Sequence, residues 1–283
     1  AILVLVFSSG LNQSALAEMD IMEETWVDPP VLQAVDGTRP FTVHLTAENQ
    51  DKNIGDLVGI DLQSYKFSCD LEENCDKTEE YVPTIQVGPT IKVKPGDILE
   101  VNLQNDLSQS TNLHTHGLHI SPNRPTDPQY RDQYSDNVLL EIEQGQSQNY
   151  TFEILDNHYP GTFWYHPHFH TTTATQVEDG MAGALIVEDE SAPAEWIQEA
   201  RDRIFVLQEI PNVGNTTING VLSPRMDMDL GALERWRFIH AGEDESIVLN
   251  FSSLRRRGFR FKLIALDGIT LEHARDIDES DDD

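Results

Sequence analysis

The sequence predicts an all-β protein, a sandwich or barrel of short strands, from three observations. Apolar and polar residues alternate over short runs such as "FTVHLTAE", where Phe41, Val43 and Leu45 take every second place. The runs recur at short intervals and are broken by Gly, Pro, Asn and Asp, as at "KPGD" between "TIKV" and "ILEVNLQN". The 283 residues include 17 Gly and 14 Pro spread along the chain, a turn-rich globular composition.

Residues 1–17 hold an apolar run, a polar stretch and then Ala15-Leu16-Ala17. This pattern is that of a secretory signal peptide whose basic start and initiating Met are missing, so the sequence is expected to be clipped there. No apolar stretch is long enough to span a bilayer. A secreted or periplasmic protein without membrane insertion is the expectation. Residues 18–37 read as an irregular leader. A first domain over 38–190 contains "FTVHLTAE", "TIKV", "ILEVNLQN" with Ile98, Val101 and Leu103 apolar, "SQNYTFEIL", "GTFWYHP" and "GALIVED". The polar stretches Asn49 to Tyr81 and Ser121 to Ser135 are expected to be long loops at one rim. Residues 191–201, "SAPAEWIQEAR", read as a linker with a short helix-like segment. Strands resume over 202–283 with "RIFVLQEI", "TTINGVL", "ERWRFIHAG", "SIVLNFSS" and "RFKLIALDG". That segment is shorter than the roughly 100 residues of a full sandwich, so a partial second domain is expected. The terminal "DIDESDDD" reads as a solvated tail.

Charge excludes some partners. With 49 acidic and 19 basic side chains, the formal net charge is -30, which repels nucleic acid and anionic membranes and attracts cations. Such a surface also suits high salt, or simply keeps a protein soluble. Cys69 and Cys75 are the only cysteines. In an oxidising compartment this pair predicts a small local disulfide rather than half of a zinc site.

The chemistry lies in two histidine clusters, "NLHTHGLH" with His114, His116 and His119, and "YHPHFH" with His166, His168 and His170. Random placement of ten histidines would give about 0.35 His-x-His pairs; three occur, in two places. Alternate residues of a strand share a face, so His166, His168 and His170 are expected to point one way. Imidazoles without nearby cysteine suit copper, zinc, iron or nickel rather than a structural zinc site. Two facing His-x-His strands would give four nitrogens, enough for one tetragonal copper or half the shell of a multinuclear cluster. Gly117 is expected to let the chain bend close to the metal.

The segments "GPTIKVKPGDILEVNLQNDL", "LHTHGLHISP", "SDNVLLEIEQGQSQNYTFEI" and "GTFWYHPHFHTTTATQVEDGMAGALIVED" resemble the N-terminal cupredoxin domain of the laccase-like multicopper oxidases. "FVLQEI", "INGVLSPRMDMDLGALERWRFIHAG" and "FKLIALDG" resemble the start of that family's second cupredoxin domain. The resemblance implies a cupredoxin-like Greek-key β-sandwich, one complete domain followed by an incomplete one. It also implies an enzyme that draws electrons from a phenolic, aromatic or metal-ion reductant and reduces O2 to water at copper. In such a family His114 matches a type 2 copper ligand, and His116, His166 and His168 match type 3 ligands. Asp136 stands where the family often has an acid that delivers protons to oxygen. His119 and His170 match no ligand position, and Trp164 and Tyr165 read as support for the ligand strand. Isolated His44, His158, His240 and His273 read as surface or satisfied core residues. Thr171 stands where relatives commonly carry Gly.

The family's cluster uses eight histidines, of which this chain supplies four. A C-terminal cupredoxin domain with a His-x-x-His-x-His run and a His-Cys-His segment would supply the rest and the type 1 copper, and neither pattern is present. The chain is therefore expected to be a fragment, inactive alone. Two alternatives remain open: a copper-binding or scavenging module, and a structural cupredoxin-fold protein without redox activity.

Overall fold

The computed structural model describes residues 2–9, 26–34, 40–54, 57–69, 87–188, 200–210, 213–229, 231–242 and 246–277. The first eight strands are β1 (Ile2–Ser9), β2 (Val31–Gln33), β3 (Phe41–Ile54), β4 (Leu57–Cys69), β5 (Gly88–Val93), β6 (Ile98–Asn105), β7 (His114–His116) and β8 (Ser147–Glu153). The rest are β9 (Gly161–His166), β10 (Gly183–Val187), β11 (Arg201–Glu209), β12 (Thr216–Ile218), β13 (Leu233–His240), β14 (Phe259–Leu266) and β15 (Ile269–Asp276). Two short helices accompany them among the described residues, α1 (Thr173–Glu178) and α2 (Ser252–Arg256). The all-β expectation holds.

The first unit is a sandwich. One sheet runs β4-β3-β6-β8, and against it lie β9, β10, β5 and β2, with β7 paired to the side of β9. Alternation drives the packing: β6 buries every second residue, Leu99, Val101 and Leu103 among them. The inward face thus takes Leu99 rather than Ile98. These side chains meet Phe41, Val43 and Leu45 from β3, Tyr150 and Phe152 from β8, and Phe163 and Tyr165 from β9 in one core. β10 is buried at all five positions because it has a core on each face. Leu185 and Val187 face the sandwich, while Ala184 and Ile186 pack on Ile204, Val206 and Ile239 of the second unit.

The second unit continues the larger sheet in the order β15-β14-β1-β13-β11-β12, joined to β9 by the pairing of Ile269 with Gly161. Its aromatic core gathers Phe205, Trp236, Phe238, Phe251 and Phe261. Buried ion pairs lock it. Arg203 donates to both oxygens of Glu234 at 2.7 and 2.9 Å, and the Trp236 indole N–H donates to Glu234 at 2.8 Å. Arg237 binds Asp202 at 3.1 Å and reaches across to the Thr162 hydroxyl at 2.5 Å, tying the second unit to β9.

Several local expectations are corrected. The polar stretch after Asn49 is not all loop: β3 continues to Ile54 and β4 returns antiparallel from Leu57, with the register Asn49↔Gln63 and Thr46↔Lys66. One face buries Ala47 and Tyr65 in the sandwich core, Ile54 and Leu62 pack instead on Ile210 and Val213 of the second unit, and the polar residues between them hid the strands. Within the leader, Val31–Gln33 pairs parallel with β5 and buries Leu32. "SIVLNFSS" forms no strand, and its end enters α2. Ile2–Ser9, the apolar run of the expected signal peptide, lies as β1 antiparallel between β13 and β14. The expected linker helix, Cys75 with its disulfide, and the acidic tail beyond Ile277 lie outside the described residues.

Candidate metal centre

The site is built where β7 meets β9. The two strands pair antiparallel, with His114 opposite His166 and His116 opposite Trp164. Directly opposed residues of paired strands project to the same face, as do residues two apart on one strand. Four aromatic rings therefore share one face. The His114 and His166 rings are 5.3 Å apart edge to face, and Trp164 stacks on His166 at 4.2 Å and on His116 at 5.2 Å. One ring nitrogen from each of His114, His116 and His166 lies within 4.8 Å of the others.

The second cluster does not stay on one strand face as expected. β9 ends at His166 because Pro167 has no N–H to continue the ladder. His168 turns off the strand, and its ring lies 5.1 Å from that of His114 and 5.9 Å from that of His166. His170 is exposed, 6.4 Å from His168 ring to ring, and stands off from the cluster. His119 is also exposed; its backbone N–H donates to His158 Nε2 at 2.9 Å, and His158 Nδ1–H donates to the Tyr159 carbonyl at 2.8 Å. His158 is thus a satisfied core histidine that clips the loop after β7.

Hydrogen bonding fixes which nitrogens are free. His166 Nδ1 is 2.9 Å from the Pro167 carbonyl, which only accepts, so Nδ1 carries the proton and Nε2 keeps its lone pair. That Nε2 is buried and has no partner. Both Asp136 oxygens lie 3.0 Å from His114 Nδ1, which likewise puts the proton on Nδ1 and leaves Nε2 open. Asp136 Oδ1 also accepts the Thr115 N–H at 3.0 Å. Burial, with the neighbouring histidines adding to it, drives the His166 pKa down to about 3 and lowers that of His116 as well. Both rings are neutral near pH 7, the form that binds a metal.

The stretch before Asp136 delivers it. Ser121 to Ser135 is irregular as expected, but it is strapped down: Glu153 on β8 accepts the Thr126 N–H at 2.8 Å, and the Thr151 N–H donates to the Tyr134 carbonyl at 2.7 Å. Gly117 turns the chain out of β7 at φ 93°, with its α-carbon side against the Phe163 ring. A Cβ there would lie 3.0 Å from the Phe163 ring, so packing also asks for glycine at this bend. Thr171 has φ 86°, the left-handed backbone for which glycine is suited. Sequence reasoning missed Asn112, a fully buried amide that touches the backbone of His168. Its partners are backbone groups remote in sequence, and no motif signals them.

The fold is a β-sandwich, and the imidazole cluster is a candidate metal centre in it. Residues 75–192 match the family model described as multicopper oxidase. Over that stretch, which holds both histidine clusters, the chain is similar to multicopper oxidases. It is 28% identical over 206 residues to multicopper oxidase mco of Staphylococcus epidermidis, covering 66% of this chain and 42% of that one. It is 39% identical over 111 residues to the iron transport multicopper oxidase FET3 of Kluyveromyces lactis, covering 38% of this chain and 16% of that one. Among solved structures, a laccase from Pediococcus acidilactici aligns with a TM-score of 0.64 at 20% identity, over 93% of this chain and 54% of that one. McoA from Aquifex aeolicus aligns at 0.63 and 18% identity, over 91% and 54%. These likenesses show the cupredoxin fold. The chain spans less than half the length of the staphylococcal relatives it matches.

Proposed function

We propose that this chain supplies one side of the copper cage of an oxidase that takes electrons from a phenolic, aromatic or metal-ion reductant and passes them to O2. The observation that carries this reading is the buried, unpartnered Nε2 of His166 beside the rings of His114 and His116. A buried polar nitrogen without a partner is costly, and a metal ion removes that cost. Imidazoles suit copper.

In this reading His114 serves a type 2 copper, and His116, His166 and His168 serve type 3 coppers. Bound copper would supply the one-electron chemistry. The protein's part is to hold and tune. Asp136 keeps the His114 proton on Nδ1, so that Nε2 faces the cage, and it is the candidate for proton delivery. Trp164 covers His166 and His116 and restricts their rotation. A cupredoxin domain carrying the other histidines and a Cys-His relay is the partner that completes the cage. Export to the periplasm or outside the cell belongs to the same proposal; with the apolar run placed as β1, it rests on the Ala15-Leu16-Ala17 pattern.

Titration of the purified chain with Cu(I), beside oxygen-electrode measurements with a phenolic substrate, tests the reading. Weak copper uptake that His166→Ala abolishes, without oxygen consumption, is the expected result. Uptake unchanged by His166→Ala removes the histidine site. Steady copper-dependent oxygen consumption removes the half-cage, and tight one-to-one binding favours the copper-binding module instead.

A further inference from the structure

The Asn112 side chain is fully buried and makes three hydrogen bonds, each to the backbone of a different residue. Its Nδ2 donates to the Val138 carbonyl at 2.9 Å and the Leu140 carbonyl at 3.1 Å. Its Oδ1 accepts the His168 N–H at 2.6 Å. The partners fix the amide's orientation, since two are acceptors only and one is a donor only. None of the three lies in a strand. His168 follows the end of β9, and Val138 to Leu140 form the turn after Asp136. Outside the strand ladders, the His168 N–H and the Val138 and Leu140 carbonyls take these side-chain bonds.

We infer that Asn112 is a positioning residue that sets His168 against His114 and holds the Asp136 turn at the other side of the same ring. The inference rests on the copper reading for its purpose, not for its geometry. Asn112 lies two residues before His114, so the amide links three pieces: the start of β7, the turn that brings Asp136 to His114 Nδ1, and the backbone of His168. Thr111 beside it is fixed independently. It exchanges both backbone hydrogen bonds with Ile142, at 3.1 and 3.0 Å, and its hydroxyl binds Gln176 of α1 at 2.9 Å. The base from which Asn112 reaches out is therefore anchored without it, and changing its amide acts on the pieces it holds.

The test uses metal-free and Cu(I)-loaded chain with nitrogen-15 in the histidine rings and backbone. In Asn112→Ala, hydrogen exchange of the His168 amide should rise roughly tenfold or more. The nuclear Overhauser contact between the His114 and His168 rings should weaken, while that between His114 and His166 persists. Asn112→Asp keeps the acceptor but loses both donors. It should leave the His168 amide protected and release the Asp136 turn, read as loss of Thr115 amide protection. If Asn112→Ala does not fold, this split in Asn112→Asp decides the matter. Unchanged His168 protection and ring contacts in Asn112→Ala, or equal loss at both amides in Asn112→Asp, overturns the inference. With Cu(I), the wild type should shift the rings of His114, His116, His166 and His168, and Asn112→Ala should drop His168 from that set. Should copper shift no histidine in the wild type, the copper reading fails, and the metal-free arm still judges the placement by Asn112.

Discussion

Acid should destabilise the metal-free chain through His166. Its folded pKa of about 3 lies below the ordinary 6.5 because burial excludes the charged ring. Between those values the unfolded chain binds the proton and the folded chain does not, so stability rises with pH across the window and falls as pH drops from 6.5 toward 3. One pKa unit corresponds to about 1.4 kcal/mol, so His166 alone costs about 2 kcal/mol at pH 5 and about 3 kcal/mol at pH 4. Titrating the acidic groups works the other way, since lowering a net charge of -30 relieves repulsion. The two effects are separated by His166→Phe, which keeps an aromatic ring against Trp164 and cannot titrate. Urea unfolding at pH 7, 6, 5 and 4 gives the comparison. The stability difference between His166→Phe and wild type should shift in the variant's favour by about 2 kcal/mol between pH 7 and pH 5. A difference that stays flat over that range refutes the buried neutral His166.

Other perturbations test the scaffold and the site. A Cβ on Gly183 would lie 2.2 Å from the ring of Tyr165, so Gly183→Ala should cost about 3 kcal/mol in urea unfolding; a loss within about 0.5 kcal/mol contradicts this packing. Thr171 at φ 86° pays for a left-handed backbone, and Thr171→Gly should stabilise by about 1 kcal/mol; a loss of stability refutes the strain. Arg203→Met strands the buried Glu234 carboxylate and should cost about 3 to 5 kcal/mol, with Arg203→Met/Glu234→Leu recovering most of it; no recovery means the charges are not the cause. Asp136→Asn cannot hold the His114 proton as a carboxylate does, and Cu(I) affinity should fall about tenfold or more; an unchanged affinity removes Asp136 from that role.

The sequence exposed those parts of the fold whose pattern is local. Strand β6 shows its alternation openly, and "GTFWYH" carries both its strand and the candidate ligand His166. The β3–β4 hairpin was hidden because most of its residues are polar and its buried positions include the small residues Ala47 and Ser64. In Ile2–Ser9, the six-residue apolar run over residues 2–7 fits the core of a signal peptide or a strand equally well by pattern. The His-x-His pairs marked the site, and the opposition of His114 and His166 follows once β7 pairs with β9. The departure of His168 from the strand was written in Pro167, but its final position depends on Asn112, 56 residues away. Such long-range bonds to backbone leave no trace in residue spacing.

The central claim is that His114, His116, His166 and His168 form one side of a copper cage. A crystal structure of the copper-soaked chain, with anomalous scattering recorded at the copper edge, tests it most directly. Copper at bonding distance from His166 Nε2 and from ring nitrogens of His114 and His116 is the expected result. Copper held only by surface carboxylates, with these imidazoles bare, would contradict it.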